Sequence, residues 1–475
     1  MSDPVPQHEP DSTPQSRLER LPLTPTRAWV LVAVLLVLPQ VGALLQFLTT
    51  SLPVGSTATQ VTDQVPVLLS RETIPNQGVH VPGEGWQGTF LGLSPAVVWL
   101  LRLVLVYAYG FLCLYWLWRG YLLYRARYRT ASWTPLDDGV RRFRQHRWGQ
   151  FGLLVVLSFL ILALFAPAVS PTSLEENVID PNSNELRYYD DTTGQIETTT
   201  VFAANLDSTS QGIPDRHIGP LSYDKYDRFH PFGTLPSGQD LFTQVALGSR
   251  ISLFIGLVAI LISSVISAAL ALISAYYGGW IDLGIVLLSD ATQSLPQLLV
   301  VIMLSVVLSQ TWIAGLYNGG ALLALIFALT GWPSLWRAIR GPALQVSERT
   351  WVDAADSYGL PPLTTMRRHI FPYIVGYLLV YASMNLGGII IGTAGLSFLG
   401  LGISPPTPEW GRLVDVGQPL LTTESWHIAT IPGVLIVIVV TGFNALGDGV
   451  RDAIDAETEL ENEEETATAA SGAGG

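Results

Sequence analysis

The 475-residue chain has one cysteine, one lysine and few charged residues of either sign. Charged residues make up 13% of the chain, against roughly 25% in typical soluble proteins, and the mean hydropathy is +0.38. A water-soluble protein of this length needs more charge to cover its surface. The scarcity of charge therefore excludes that class and predicts a polytopic membrane protein.

The scarcity of cysteine and lysine excludes several kinds of chemistry. Cys113 can form neither an intrachain disulfide nor a cysteine-based metal site. Lys225 is the only lysine and follows Asp224, so the chain lacks the Gly-x4-Gly-Lys-Ser/Thr loop that binds ATP phosphates. It also lacks the His-Glu-x-x-His and Gly-x-Ser-x-Gly motifs of hydrolases. The sequence predicts no catalytic residue, and no metal or cofactor bound to this chain.

The charge balance is acidic, with 38 acidic residues, 25 basic residues and a net charge of −13. Twelve acidic residues lie in 170–249 and eight more between Asp452 and Glu465. A basic surface for nucleic acid is absent, which excludes nucleic acid as a partner. An acidic chain with a single lysine suggests a source adapted to high salt, such as a halophilic archaeon.

Eight apolar runs are long enough to cross a bilayer, whose ~30 Å hydrocarbon core takes roughly 20 helical residues. The predicted spans are about 28–48, 95–118, 150–170, 251–277, 285–310, 320–340, 372–395 and 428–447. Residues 291–336 are uncharged throughout, and Tyr317-Asn318-Gly319-Gly320 predicts the turn that divides them. The ~10-residue alternation of outer-membrane strands is absent. The predicted fold class is therefore an all-α polytopic membrane protein.

The distribution of arginine predicts the topology. Residues 119–149 hold eight arginines and residues 337–368 hold five, whereas 50–94 and 396–427 hold one each. Cytoplasmic loops carry the excess of Lys and Arg. The sequence thus predicts a multi-pass protein of the cell membrane with both termini cytoplasmic, and with 50–94, 170–249 and 396–427 facing outward.

Four regions follow from this pattern. Residues 1–130 form an N-terminal extension with two spans, and 131–249 hold the third span and a long acidic outer segment. Residues 250–455 hold five closely spaced spans. Residues 456–475 are acidic and then rich in Ala, Gly and Ser, which predicts a disordered cytoplasmic tail.

One connecting loop has the pattern of a short exposed helix. Val352, Ala355 and Tyr358 recur at three-residue spacing, Gly359 can close a helix, and two prolines follow. Small residues on such a helix would let another protein approach closely. On this evidence alone, an ordinary solvated connecting helix is the simpler interpretation.

The motifs of this loop resemble the EAA loop of type I ABC importer permeases, the membrane subunits of binding-protein-dependent transport systems. The matching residues are Asp353, Ala354, Ala355, Gly359, Ile370 and Pro372, with aspartate in place of the usual glutamate and Phe371 in place of the usual leucine. In that family the loop forms a coupling helix that sits in a groove of the cytoplasmic ATPase.

Other motifs, in the family's order over about 140–455, resemble the C-type permease subunit of dipeptide, oligopeptide and nickel ABC importers, a MetI-like family. The motif positions are Gly248, Arg250, Asp290, Pro296, Gly395, Gly400, Asn444, Gly447 and Asp448. Thr393 departs from the pattern, because it stands where the family often has glutamate before Ala-Gly-Leu-Ser. Residues 1–130 lie outside the resemblance, and a chain shortened to begin near Ser132 is expected to retain transport.

The resemblance implies a type I permease fold of about six helices, here with two extra N-terminal transmembrane helices. It implies that separate ABC ATPase subunits bind ATP and magnesium, that a homologous B-type permease completes the pore, and that an extracellular binding protein delivers the solute. Peptides are the first expectation for the solute, before nickel or a metal chelate and before an oligosaccharide. A secondary transporter and a membrane-embedded enzyme or channel are the remaining alternatives.

Four polar residues in or beside the spans carry separate expectations. Arg102 is expected to extend to the membrane interface. Asp290 would lie within the membrane, where it either serves function or pairs structurally. His146 and His369 lie among arginines and are expected to be surface residues rather than ligands.

Overall fold

The computed structural model describes residues 25–41, 69–129, 135–208, 217–403 and 405–472, apart from the side chains of 39, 135–136 and 455–472. In the first half of the chain the α-helices are α1 (Pro25–Val37), α2 (Pro95–Arg127), α3 (Pro135–Phe143), α4 (Arg147–Leu164), α5 (Ala166–Val169) and α6 (Val201–Asp207). In the second half they are α7 (Leu241–Tyr277), α8 (Gly279–Gln293), α9 (Gln297–Leu308), α10 (Gly320–Ser347), α11 (Thr350–Ser357), α12 (Pro362–Thr365), α13 (Phe371–Phe398), α14 (Trp410–Gly417) and α15 (His427–Gly472).

Six of the described helices are long and apolar enough to cross a membrane, namely α2, α4, α7, α10, α13 and α15 up to Ile454. The helix pair α8 and α9 passes the same test together, as one bent span. Helix α1 is the start of the predicted first span, of which 42–48 lies outside the described residues. The prediction of a helical membrane protein is confirmed.

The predicted single helix over 285–310 is wrong. The chain forms α8 and α9 instead, whose axes meet at 81° across the break at 294–296. Pro296 has no backbone N–H to donate, and its ring disfavours the helical conformation of the residue before it. An apolar run alone did not reveal this break because hydrophobic residues lie on both sides of it.

Helix α7 begins at Leu241, well before the predicted start at 251. The Asp240 carboxylate caps the helix by accepting a 2.7 Å hydrogen bond from the Thr243 N–H. The first turns mix apolar residues with Thr243, Gln244, Ser249 and Arg250, so a search for an uninterrupted apolar run missed them. At the other end of α9, the predicted turn at 317–320 is confirmed, since Tyr317 and Asn318 both have positive φ and α10 begins at Gly320.

The end of the bundle before α7 carries a folded cap, which we define as the described residues of 69–94 and 170–240. It contains three two-stranded antiparallel sheets that the sequence did not predict. They pair β1 (Val79–Val81) with β2 (Gly85–Gln87), β3 (Glu185–Asp190) with β4 (Gln195–Thr200), and β5 (Ser222–Tyr223) with β6 (Phe229–His230). The opposite end, residues 337–370, is called the coupling end below.

Arg102 joins the N-terminal extension to the rest of the chain, and the expectation that it reaches the interface is wrong. Its side chain is fully buried, and its guanidinium donates to the carbonyl oxygens of Ile74 and Ser170 and to Oδ1 of Asn76, at 2.8–3.0 Å. The cap folds back over α2 and supplies these acceptors, so the cation needs no water. This packing speaks against the extension being a separable unit.

Glycines allow close packing among three spans, backbone to backbone between α4 and α15 and backbone to side chain between α15 and α13. A Cβ on Gly152 of α4 would lie 2.3 Å from the Leu446 nitrogen of α15, and a Cβ on Gly447 would lie 2.2 Å from Cγ of Met384 in α13. Neither position has room for a side chain. Helix α15 is therefore held between α4 and α13 by small-residue packing, which is common between membrane helices.

Helix α15 continues to Gly472, so the backbone of 456–472 is helical where the sequence predicts a disordered tail. Glutamate and alanine, which dominate this stretch, have high intrinsic helix propensity. A helix already running through 427–454 needs no new nucleus to continue into such a sequence.

Candidate functional site

The EAA-like loop forms the short helix α11 at the coupling end, as the sequence predicts. Val352 and Ala355 are buried against the bundle, whereas Asp353 and Ala354 on the opposite face are exposed. The two alanines of the motif therefore have different surroundings: Ala354 belongs to the surface and Ala355 to the core. The expectation that both are exposed small residues is wrong for Ala355, because it supplies the apolar contact that seats α11.

Gly359 closes α11 in the left-handed conformation, with φ of +75°. Its N–H donates to the Asp356 carbonyl at 2.9 Å, and the Leu360 N–H donates to the Ala355 carbonyl at 3.2 Å. This pair of bonds is the Schellman arrangement that satisfies the last carbonyls of a helix. A side chain at this φ costs roughly 1–2 kcal/mol, so glycine sets the point where the helix ends.

The remaining loop residues support α11 from below. Ile370 is fully buried in the same apolar cluster as Val352 and Trp336. Pro372 occupies the first turn of α13, where its missing N–H leaves no bond unmade. These residues determine the seat of α11 rather than its exposed face.

A hydrogen bond ties the exposed face of α11 to a membrane-crossing helix. The Tyr276 hydroxyl, in the last turn of α7, donates to Oδ1 of Asp356 at 2.9 Å. Movement of α11 therefore acts directly on the end of α7.

Two ion pairs bind α8 to α10 near the coupling end. Asp282 pairs with Arg340 and also accepts from the Ser274 hydroxyl, while the Arg340 guanidinium lies 5.6 Å from the centre of the Trp336 ring. Asp290 pairs with Arg337, and Nη1 of Arg337 donates to Oε1 of Gln293 at 2.6 Å. Of the two expectations for Asp290, the structure shows the structural pair.

A cavity of about 700 Å³ lies beside the break between α8 and α9, and its wall is more apolar than polar. Its wall includes Pro296 together with uncharged hydrogen-bonding side chains from five helices: Ser263, Gln293, Gln297, Thr330, Ser334 and Asn385. Apolar clusters pack on either side of it, one around Trp336 at the coupling end and one around Ile255 and Phe327 towards the cap. The cavity thus lies between two packed layers, where a polar solute could be held.

The other motif positions are distributed along the bundle. Gly248 packs against Trp410, Gly447 against Met384, and Gly400 has φ of +72° just after α13. Arg250 lines a second cavity of about 380 Å³ near the cap, together with Arg71 and Tyr317. Gly395 lies in α13, and Asn444 and Asp448 lie in α15, where Asn444 is exposed. The structure does not bring these positions together into one site.

Glu409 is a buried acid that the sequence did not single out. It is fully buried at the start of α14, and its Oε2 accepts from the Arg412 N–H at 3.0 Å. Burial raises the pKa of the Glu409 carboxyl. Thr393 has no carboxylate and bonds the Ile389 carbonyl of its own helix, while Gly411 packs against the neighbouring Ala394. The buried carboxylate of this region is therefore on α14.

The two histidines expected at the surface have ordinary structural roles. His146 caps α4 by accepting from the Gly149 N–H at 2.9 Å, and its Nε2 lies 3.1 Å from an oxygen of Asp452. His369 is part-exposed between α12 and α13. Among the described residues, no group of three or more His, Cys, Asp or Glu side chains is placed to hold a metal ion.

The cap contains a buried network of charges around Arg228. Its Nε donates to Asp224 at 2.6 Å, its Nη1 donates to Asn205 at 2.8 Å, and His230 lies between Asp224 and Asp240 at 3.5 and 3.0 Å. Burial alone would raise the pKa of Asp224, but the guanidinium and the imidazole outweigh it and hold that pKa well below its usual range. Burial would lower the pKa of His230, but the two carboxylates outweigh it and raise that pKa.

Two protein-family models and several known proteins match parts of this chain. Residues 267–459 match the family described as the binding-protein-dependent transport system inner membrane component, and residues 134–186 match the N-terminal TM domain of oligopeptide transport permease C. The glutathione transport system permease protein GsiD of Shigella dysenteriae serotype 1 is 31% identical over 322 residues, covering 68% of this chain and 90% of the relative. GsiD of Escherichia coli O157:H7 matches with the same identity and coverage.

The chain belongs to the binding-protein-dependent transport permeases. It is a permease subunit of an ABC importer, as the motifs predict, and the matched region includes α11, the cavity and both ion pairs. The whole N-terminal extension, residues 1–130, precedes the matched families, since the first match starts at residue 134.

Several residues of this permease's candidate site were not identified from the sequence. From the sequence, Arg337 and Arg340 count only as positive charge in a cytoplasmic loop, and no role is assigned to Tyr276 and Asp282. The spacing of three between the two arginines places them on one face of a helix, which could have indicated paired acids on a neighbouring helix. The polar cavity residues gave no such signal, because isolated Ser, Thr, Asn and Gln are common in membrane helices.

Proposed function

We propose that this permease moves short peptides across the cell membrane by alternating access. The observation that carries the proposal is the cavity at the break between α8 and α9, whose apolar wall carries several uncharged hydrogen-bonding side chains. A peptide backbone presents amide N–H and C=O groups, which need both donors and acceptors when they leave water. Gln293, Gln297 and Asn385 supply both kinds of group without a fixed charge. The glutathione permeases among the relatives support a peptide-like solute.

The energy comes from separate ATPase subunits, which hold ATP and magnesium. The exposed face of α11 is the proposed docking surface, because Asp353 and Ala354 face away from the bundle and Gly359 fixes where the helix ends. A nucleotide can shift the permease between states only if the docked complex favours one of them. The hydrogen bond from α11 to α7 and the ion pairs from α8 to α10 connect the docking surface to the cavity.

A second, homologous permease chain of the B type completes the proposed pore. The bent pair α8 and α9 supports this, because it leaves a continuous apolar surface exposed, including Leu287, Leu298 and Met303. Lipid or a partner helix can cover such a surface. An extracellular binding protein is the proposed partner at the cap end.

The arginine-rich coupling end is proposed to face the cytoplasm and the cap to face outward, with both termini cytoplasmic. Counting α1 and the bent pair each as one span gives eight crossings, which returns the chain to its starting side. The test is labelling of engineered cysteines in a Cys113→Ser background of sealed cells. A cysteine at Thr192 in the cap should react with a membrane-impermeant reagent and one at Ser471 should not. The reverse pattern would contradict this topology.

The solute is tested with the complete complex in vesicles, supplied with its own binding protein. Tritiated glutathione and a set of di- and tripeptides should accumulate only with ATP, whereas nickel ions and a maltose-series oligosaccharide should not. Asn385→Leu should reduce peptide uptake while leaving ATPase binding intact, and Asn444→Leu, an exposed control in α15, should not. Uptake of nickel or oligosaccharide in place of peptides would overturn the peptide proposal, and accumulation without ATP would favour a secondary transporter.

A further inference from the structure

The two ion pairs between α8 and α10 differ in how firmly they are held. The Asp282–Arg340 pair is part-buried, with 17% and 30% of the side-chain surfaces exposed, and it is reinforced by the Ser274 hydroxyl and the Trp336 ring. The Asp290–Arg337 pair is 57% and 45% exposed and has one additional partner, Gln293. An ion pair that water reaches gains little because water competes for both charges, and the second pair has fewer partners in this chain to exclude water. The second pair is therefore the one that can open at small cost.

The position of each pair matches this difference. Asp282 lies in the first turn of α8, close to the end of α7 that bonds α11 through Tyr276. Asp290 lies one turn before the break at 294–296, and Gln293, held by Arg337, is part of the cavity wall. A rotation of α8 about its first turn would move Gln293 and the break but leave Asp282 in place.

The helices around the cavity have other weak points at the same level. Pro333 interrupts the backbone bonding of α10 beside Thr330 and Ser334, and a Cβ on Gly388 of α13 would meet no other atom within 4 Å. The layers packed around Trp336 and around Ile255 are separated there by the cavity. The open space at this level leaves room for the helices to bend, although a third apolar cluster, which includes Ile260 and Leu335, also packs beside the cavity.

We propose that the Asp290–Arg337 pair is a latch that closes the coupling-end mouth of the cavity, and that the Asp282–Arg340 pair is the pivot that stays closed. When α11 moves with the ATPase, the pull on α7 and α8 opens the latch. Gln293 then withdraws from the cavity wall, and the solute leaves towards the coupling end. This inference rests on the proposed transport function but not on the identity of the solute.

The decisive experiment locks each pair in turn in the complete reconstituted complex. In a Cys113→Ser background, Asp290→Cys with Arg337→Cys is joined by a short, reducible bifunctional thiol reagent, and Asp282→Cys with Arg340→Cys is the matched control. Joining the latch cysteines should abolish ATP-dependent uptake of tritiated glutathione and coupled ATP hydrolysis, and reduction should restore both. Joining the pivot cysteines should leave both in place.

Charge variants test the latch without a cross-link. Asp290→Asn should raise ATP-independent efflux of preloaded glutathione, and ATP hydrolysis without binding protein, by about fivefold, since an exposed pair is worth about 1 kcal/mol or less. The exchange of charges in Asp290→Arg with Arg337→Asp should return both to near the unmodified level. This rescue would show that the pairing of the two charges, rather than either side chain alone, controls the leak; a purely structural pair would be rescued too but would not raise ATP-independent efflux in Asp290→Asn.

Two results would overturn the latch. One is normal transport with the latch cysteines joined, and the other is equal inhibition from joining the pivot cysteines. If the unmodified complex moves no glutathione, the peptide proposal fails, but ATP hydrolysis without binding protein still reports on the latch.

Discussion

The cap and the coupling end both use aspartate–arginine pairs, but they surround them differently. In the cap, Asp224 and Arg228 are 0% and 5% exposed and sit in a network with Asn205 and His230. At the coupling end, Asp290 and Arg337 are 57% and 45% exposed. Breaking the first pair strands a buried charge, whereas water replaces the partner in the second. The cap is thus built to stay fixed, and the coupling end to move.

The same contrast applies to the helices at each end. Helix α2 is bound into the cap by a buried arginine with three oxygen acceptors, and α7 enters it through the Asp240 cap. Helix α11 is eight residues long and rests on two buried side chains. Few buried contacts and many exposed polar ones are typical of segments that open at low free energy.

The sharpest test of this comparison is the loss of one arginine at each end. Arg228→Ala should destabilise the cap by about 3–5 kcal/mol, because Asp224 is left buried without its partner. Arg337→Ala should change the free energy of unfolding by about 1 kcal/mol or less. Hydrogen exchange of peptides from each end in detergent measures both. Equal losses would show that the two pairs do not differ in this way.

Enlarging each motif alanine in turn distinguishes packing of α11 against the bundle from binding of α11 to the ATPase. Ala355→Trp should overpack the contact beneath α11 and cost about 1–3 kcal/mol. Ala354→Trp should leave stability unchanged and block the ATPase sterically. Thermal unfolding and co-purification of the ATPase distinguish the two. If Ala354→Trp binds the ATPase normally, the exposed face of α11 is not the docking surface.

The end of α11 depends on the positive φ of Gly359. Gly359→Val should cost roughly 1–2 kcal/mol locally and tilt or extend the helix, reducing ATPase binding. Gly359→Asn is the matched control, since asparagine tolerates the left-handed conformation better than other residues. Solute-stimulated ATP hydrolysis in vesicles is the measurement. Equal activity of the two variants would remove the role assigned to this backbone conformation.

One pH response is expected in the cap. The pKa of His230 is raised in the folded protein, so its stabilising contribution is complete below about pH 6.5, its unfolded pKa, and is lost as the pH rises through the folded pKa. The protection of residues 222–240 against hydrogen exchange, taken relative to the intrinsic exchange rate at each pH, should therefore fall on the alkaline side of that range. His230→Asn should abolish this fall in protection, while His369→Asn should preserve it. A fall in protection that survives His230→Asn would assign it to another group.

The smallest effect is expected at Asp353. Its side chain is exposed, so Asp353→Ala should change ATPase binding by about 1 kcal/mol or less. Asp356→Asn is the informative comparison, because it weakens the bond from Tyr276 as well as removing a surface charge. A titration of ATPase binding to each reconstituted variant measures the two losses of affinity, and Asp356→Asn is expected to lose more. A larger loss from Asp353→Ala would contradict this prediction.

The sequence by itself determined the class, the helical spans and the family, because each depends on local signals. Uncharged runs mark the spans, and the ordered motifs around Asp353 and Gly395 identify the permease. Gly359 could be predicted as a helix end because only glycine adopts that φ without cost.

The tertiary structure was needed to determine burial and side-chain pairing, because both depend on residues far apart in the sequence. Arg102 is buried because the cap supplies its hydrogen-bond acceptors. Ala355 belongs to the core because α11 turns that face towards the bundle. The break at Pro296 opens onto a cavity only because α10 and α13 surround it. The pairing of Asp290 with Arg337 joins residues 47 positions apart. Local sequence fixes helices and turns, but burial and pairing are set by which helices pack together.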